Sequence, residues 1–161
     1  MTIRPATAAD IPYVMNLERQ CPTAAHWTQG QYEQLFYPGA AGGESLVVVA
    51  EAELPVPRPE PDAGFGLTGF LVARRLALEW ELENIVVAST TRRMGLGKRL
   101  LDVLLIRARE TNSDTVFLEV RESNIAARTL YEKAGFQWSG RRQFYYTNPV
   151  EDAVLYHWTL D

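Results

Sequence analysis

Four basic residues, Arg92, Arg93, Lys98 and Arg99, gather around Gly95 and Gly97 in the stretch RRMGLGKRL. An apolar run ending in IVV leads into it and a helical pattern leads out, so the glycines lie where a strand turns into a helix. Backbone N–H groups at a helix start lack partners and carry the positive end of the helix dipole, which suits an anion and above all a phosphate. Flanking guanidinium and ammonium groups add charge-assisted contacts. The pattern is not a Walker loop, because Arg99 follows Lys98 where Ser or Thr is needed; nor is it a dinucleotide fingerprint, because Leu100 takes the third glycine's place. Taken alone, the Gly-x-Gly turn equally suits a tight connection with solvated basic residues. A second group is Glu79, Glu81 and Glu83, which alternate along LEWELEN and so share one side of a strand. They can attract a cationic amine, or form a solvated face with Leu78, Trp80 and Leu82 buried opposite. His157 beside Trp158 is expected to be structural. Cys21, the single cysteine, has no partner for an internal disulfide and is expected to be a small reduced side chain near a helix end. No metal site is expected.

The elements around these residues follow from period and capping signals. TIRPATAADIPYVMNLE predicts a short strand and then a helix opened by Thr7 and Asp10 at capping-box spacing, with Ile11, Val14 and Met15 on one face. HWTQGQYEQLF repeats the device with Thr28 and Gln31, its apolar side being Tyr32, Leu35 and Phe36. ESLVVVAEAE predicts a strand, and the proline-rich stretch at residues 54–64 predicts an extended surface loop, since proline denies ladder hydrogen bonds. FGLTGFLVAR and LALEWELENIVV predict a hairpin. Leu96, Leu100, Leu104 and Ala108 recur every four residues, with Leu101 and Leu105 widening the stripe into a core-facing helix. DTVFLEV is the next strand, SNIAARTLYEKAGF a helix capped by Ser123 and Asn124 and ended at Gly135, and the tail a last pair of strands. The predicted order is β-α-α-β-β-β-α-β-α-β-β.

A chain of 161 residues with 47% hydrophobic and 22% charged residues suits one soluble domain, here residues 1–161. A net charge of −4 argues against a general nucleic-acid coat, so a polyanion must meet a local basic cluster. Neither a signal peptide nor a membrane-length apolar run is read, which leads to the expectation of a cytoplasmic protein, a monomer, with no nucleic-acid or membrane partner.

With a strand before it and a helix after it, R-x-x-G-x-G at Arg92, Gly95 and Gly97 resembles the pyrophosphate loop of the GCN5-related N-acetyltransferase (GNAT) family, and the element order above is that family's order. The resemblance implies an α/β (α+β) fold: a mixed, mostly antiparallel twisted sheet of six to seven strands with helices on both faces. LEVRESNIAARTLYEKAGF, together with NIVV, GRRQFYY and EDAVLY, is similar to the RimI-type ribosomal-protein-alanine N-acetyltransferases within that family. It implies acetyl transfer from acetyl-CoA to the N-terminal α-amine of a protein, with a ribosomal protein beginning in alanine as the expected acceptor. A GNAT enzyme for a small amine or an internal lysine, and a non-catalytic acetyl-CoA-binding module, are the rival readings.

Carried over by position, the general base and general acid fall at Glu119 and Tyr131, with Glu81 as the second choice for the base. Ile85, Val86 and Val87 are expected to offer backbone groups to the pantetheine arm and acetyl carbonyl. Arg92, Arg93, Met94, Gly95, Leu96, Gly97 and Lys98 are expected to hold the pyrophosphate, and Asn124 to touch the coenzyme near its reacting end. Trp27, Glu81, Tyr145 and Tyr146 are the expected acceptor contacts. The proline-rich loop and the region around His26 and Trp27 depart from the subfamily's pattern. An α-amine with a pKa of about 7.7 to 8.0 needs only about 1 to 1.4 kcal/mol to lose its proton at pH 7, whereas a lysine at about 10.4 needs nearly 5. Glu119 as base therefore needs burial or a relaying water. Tyr131, near pKa 10, is expected to give a proton to the departing thiolate.

Overall fold

The computed structural model describes residues 1–37, 43–53 and 66–160. The proline-rich stretch predicted as a loop lies outside them. Seven strands and four α-helices alternate in the predicted order. They are β1 (Thr2–Pro5), α1 (Ile11–Arg19), α2 (Gln29–Gln34), β2 (Glu44–Glu51), β3 (Leu67–Leu76), β4 (Glu79–Val87), α3 (Leu96–Glu110), β5 (Thr115–Arg121), α4 (Ile125–Lys133), β6 (Gln137–Thr147) and β7 (Val150–Thr159). Short 3-10 turns precede α1 and follow β4.

The strands form one sheet in the order β1-β2-β3-β4-β5-β7-β6, antiparallel except for the central β4–β5 pair. Antiparallel neighbours need only a turn, but parallel β4 and β5 need a crossover, and α3 supplies it. That crossover begins at the basic glycine turn.

The sheet separates two cores. Leu96, Leu100, Leu101, Leu104, Leu105 and Ala108 of α3 and Tyr131 of α4 pack with Trp80, Leu82, Val116, Leu118 and Val120 on one face. Ile11, Val14 and Leu17 of α1 and Tyr32 of α2 pack with Val49, Phe70, Val72 and Val86 on the other. The predicted caps form: Asp10 accepts the Thr7 N–H at 2.8 Å, and Thr28 and Gln31 exchange side-chain-to-backbone bonds of 2.8 and 3.2 Å. Leu78 is not buried opposite the glutamates as predicted. It lies in the β3–β4 turn, 50% exposed, because it falls just before β4 begins.

Two irregularities shape the middle of the sheet. Ala73 faces Leu82 and Val72 faces Asn84, so Glu83 is an extra residue in β4. The bulge reverses the alternation: Trp80 and Leu82 point to the α3 face before it, whereas Asn84 and Val86 point to the α1 face after it. Secondly, β4 and β5 pair only from Glu79↔Thr115 to Leu82↔Leu118. Beyond that point β4 stays with β3 and β5 with β7, so the two centre strands part.

Candidate active site

The parting of β4 and β5 opens a cavity of about 530 Å³ lined by both strands, by Pro22–His26 after α1, by Asn124, Ala127 and Tyr131 of the α4 region, and by Tyr145–Asn148. Because β5 alternates, Val116, Leu118 and Val120 are buried toward α3 and α4, which leaves Glu119 on the opposite face. Tyr131 reaches the gap from the α4 side. The split thus brings a carboxylate from one face and a phenol from the other to a single opening.

Glu119 is not isolated. Its Oε1 lies 3.0 Å from Nε of Arg142 in an ion pair, and the Tyr145 hydroxyl bonds the same carboxylate. Glu81 stands on the same sheet face, half-buried; burial and the nearby charge of Glu119 push its pKa up, with Arg74 and Arg142 pulling it down. Glu83 is likewise pushed up by burial and pairs with Arg74 at 3.2 Å. Glu79 is exposed.

Tyr131 is 4% exposed, its ring 5.9 Å from that of Phe136 and 6.3 Å from that of Tyr156. Its hydroxyl has no hydrogen-bond partner among the described residues, and burial pushes its pKa well above the usual phenol value. The group is neutral at physiological pH and can donate. Outright protonation of a thiolate with a pKa of about 8.5 is uphill for such a phenol. What the geometry leaves this phenol able to do is donate a hydrogen bond into the cavity.

Tyr145 and Tyr146 owe their place to β6. Arg142 faces Ala153 and Tyr146 faces Glu151, so Gln143, Phe144 and Tyr145 all stand against Asp152 alone. Phe144 takes a left-handed φ of 52°, and its N–H donates to Asp152 Oδ1 at 2.9 Å, which fixes the bulge. Tyr145 is thereby set against Glu119 with its ring 5.0 Å from that of Tyr146. Burial and Glu119 push Tyr146 up to about 12, and Arg121 lies 4.3 Å over its ring.

Parting also frees the edge of β4 that would otherwise bond β5, so alternate backbone groups among Ile85, Val86 and Val87 have no strand partner on that side, and Ile85 lines the cavity. Their side chains pack into the cores, which leaves the backbone as what these positions can offer. The predicted anion turn follows. Arg93 and Gly95 take left-handed φ values of 62° and 76°, and a Cβ on Gly95 would meet nothing within 4 Å. Arg99 is the first residue to bond back, to the Gly95 carbonyl at 3.1 Å, leaving the N–H groups of Leu96, Gly97 and Lys98 without backbone partners. A Cβ on Gly97 would come within 3.2 Å of Leu130, so this glycine lets α3 start close against α4. Arg92, Arg93 and Met94 are exposed, Leu96 is buried, and Lys98 pairs with Asp102 at 2.6 Å. Arg92 and Arg93 have no ion-pair partner among the described residues.

Two expected contacts stand differently from the rest. Asn124 lines the cavity, but its Oδ1 is committed to capping α4 through the Ala127 N–H at 3.2 Å, so only its amide nitrogen is free. Trp27 does not line the cavity: its ring packs on Tyr32, centroids 5.3 Å apart, in the α1-side core. Its neighbour His26, with a left-handed φ of 55°, lines the opening in its place. Arg142, Arg74 and Asn84 were invisible as site residues in the sequence, because their places depend on register and on the two bulges. The alternation of β5 was the one available hint that something must face Glu119.

Among the described residues no group of three or more His, Cys, Asp or Glu is placed to hold a metal ion, and no helix is long and apolar enough to cross a membrane. The sequence profile of the acetyltransferase (GNAT) family matches residues 11–136. The [ribosomal protein bS18]-alanine N-acetyltransferase of Haemophilus influenzae is 41% identical over 92 residues, which span 55% of this chain and 62% of that relative. Among solved structures, the ribosomal-protein-S18-alanine N-acetyltransferase of Escherichia coli superposes with a TM-score of 0.75 at 25% identity, over 99% of this chain and 94% of that one. Ard1 of Thermoplasma volcanium superposes with a TM-score of 0.79 at 27% identity, over 99% and 97%. With the split central strands, the helix-start turn and the profile match in agreement, this chain belongs to the GNAT acetyltransferase family.

Proposed function

We propose that this chain transfers the acetyl group of acetyl-CoA to the N-terminal α-amine of a protein, by direct attack in a ternary complex. The observation that carries the reading is one cavity, opened by the parting of β4 and β5, that reaches Glu119 from one face of the sheet and Tyr131 from the other. The similarity to bS18-alanine N-acetyltransferases supports an alanine N-terminus of a small-subunit ribosomal protein as the acceptor.

In this reading the turn from Arg92 to Lys98 holds the pyrophosphate: unpaired N–H groups and the helix dipole meet its charge, and Arg92 and Arg93 add to it. Free backbone groups of Ile85–Val87 align the pantetheine arm as an added strand would, leaving the thioester in the gap. The acceptor ammonium approaches the Glu81 and Glu119 side, gives up a proton to Glu119 directly or through a water, and attacks as the neutral amine. Glu81, pushed up by burial, is the second candidate base. As the C–S bond breaks, the Tyr131 hydroxyl donates to the sulfur and stabilises the developing thiolate. The nitrogen loses its remaining extra proton, the thiolate gains one, and the products are a neutral amide and a thiol.

Mass spectrometry of peptides incubated with acetyl-CoA tests the reading. A peptide beginning with alanine should gain one acetyl group on its α-amine, and the same peptide with a blocked N-terminus and an internal lysine should gain none. Acetylation of the blocked peptide, or of no peptide at all, would overturn the proposed acceptor.

A further inference from the structure

The loop wall of the cavity is fastened from behind by a carboxylate that the proposed chemistry does not use. Glu18, near the end of α1, is 2% exposed. Its Oε1 accepts the backbone N–H of Trp27, and its Oε2 accepts Asn84 Nδ2 at 3.3 Å. The same nitrogen donates to the Tyr32 hydroxyl at 3.2 Å. One side chain therefore ties α1 to the far end of the Pro22–His26 loop and to β4 at Asn84. Both the loop and Asn84 line the cavity, and Asn84 lies just past the point where β4 leaves β5.

The loop's other anchors are apolar, the Trp27 ring on Tyr32 and Ala24 against the α1-side core, and neither fixes its polar backbone. Its backbone bonds among the described residues are short-range: Cys21 N–H to the Glu18 carbonyl at 3.0 Å and Ala24 N–H to the Cys21 carbonyl at 3.1 Å. His26 takes a left-handed φ just before the Glu18-bound amide, so the chain is held in an unfavourable conformation at the place where the carboxylate grips it. A carboxylate in an apolar core is a costly way to fill space, and an apolar side chain of similar size would fill it without the loss of hydration. Burial indeed pushes the Glu18 pKa up against the pull of the Trp27 amide, His26, Asn84 and Arg19.

We propose that Glu18 is a positioning residue for the acceptor: by clamping the 22–27 loop to β4 it fixes the wall of the cavity that receives the amine, without touching substrate. The proposal rests on the acetyl-transfer reading, and its test separates the two. In the full chain, Glu18→Met keeps the volume and removes both acceptor oxygens. It should raise the KM for the alanine peptide at least about tenfold, the size expected when hydrogen bonds to a charged group are lost. The kcat and the acetyl-CoA Kd should stay within about threefold. Amide hydrogen exchange across residues 22–27 should quicken by about tenfold or more while α3 and α4 keep wild-type protection. Glu18→Gln should restore both readouts, because glutamine keeps an oxygen for the Trp27 N–H and Asn84 can rotate its amide to accept from the new NH2.

A folded Glu18→Met with wild-type peptide KM and loop exchange overturns the proposal, as does a Glu18→Gln as defective as Glu18→Met. If Glu18→Met does not fold, Glu18→Asp, shorter by one carbon, takes its place under the same criteria. If the wild-type protein acetylates no peptide, the acceptor reading fails on its own, and loop exchange alone decides the role of Glu18.

Discussion

A carboxylate that takes a proton from an amine must be reachable at the moment of attack, and in the resting protein Glu119 is occupied by Arg142 and Tyr145. The guanidinium marks where a cation is favoured, so an incoming ammonium replaces one positive charge by another and does not create an uncompensated one. Arg142 is 57% exposed, and releasing it to water costs little. Glu119→Gln keeps the shape and removes the proposed base; its kcat should fall by about 10²- to 10⁴-fold. Tyr131→Phe removes only the proposed donor to sulfur and should lower kcat by about 10²- to 10³-fold. Both should bind acetyl-CoA like the wild type, because neither residue belongs to the basic turn, and Tyr131→Phe should stay folded because its ring contacts are kept. Steady-state kinetics with calorimetric Kd values checks all three statements, and unchanged kcat in both variants removes the assigned chemistry.

In the proposed reading, an element more than any one side chain does the binding: the start of α3. Four features coincide there: unpaired helix N–H groups, the left-handed turn at Gly95, the close start permitted by Gly97, and the exposed Arg92 and Arg93. Reversing one charge should act only through phosphate. Arg93→Glu is therefore expected to weaken acetyl-CoA binding by at least about tenfold, or 1.4 kcal/mol, while leaving the affinity for acetyl-pantetheine, which has no pyrophosphate, unchanged. Equal weakening of both ligands, read by calorimetry, would place the pyrophosphate elsewhere. This element was legible in the sequence because its signals are local: a strand end, glycines at fixed spacing, and a four-residue leucine period. The helix caps at Thr7, Thr28 and Asn124 were legible for the same reason. The bulges at Glu83 and at Gln143–Tyr145 were not, since a bulge is a mismatch between two strands and neither strand carries it alone. With them went the facing of Asn84, the partners of Glu119, and the turning of Trp27 into the core.

At the scale of the whole molecule the site exists because a sheet is split at its centre yet held at its edges, so the bonds that anchor the edge strand β1 bear on the opening indirectly. Arg4 of β1 reaches across to Asp10 at the entrance of α1 with two bonds of 2.8 and 2.9 Å, and to Glu51 of β2 at 2.7 Å. It joins sheet and helix layer at one point. The Arg4 guanidinium holds the Asp10 carboxyl below its ordinary range, with help from the Thr7 N–H, even though burial opposes the shift. A folded-state pKa lower than the unfolded value of about 3.9 means that the pairing stabilises fully above that value and is lost as pH falls through the folded one. Glu18, Glu81 and Glu83 act with the opposite sign: burial raises them, so their contribution is present below the ordinary carboxylate range and is lost as pH rises through their raised values. Asp10→Asn isolates the first set. At pH 7 it should cost about 1.5 to 3 kcal/mol, the worth of hydrogen bonds to a charged group, and lower the Tm by roughly 3 to 12 °C. As pH falls through the depressed folded value, wild-type Asp10 itself becomes protonated, so the two melting curves should draw together in calorimetry as pH falls below the ordinary carboxylate range, and a gap that does not shrink on acidification would show that the Arg4 clamp does not hold the edge strand through charge.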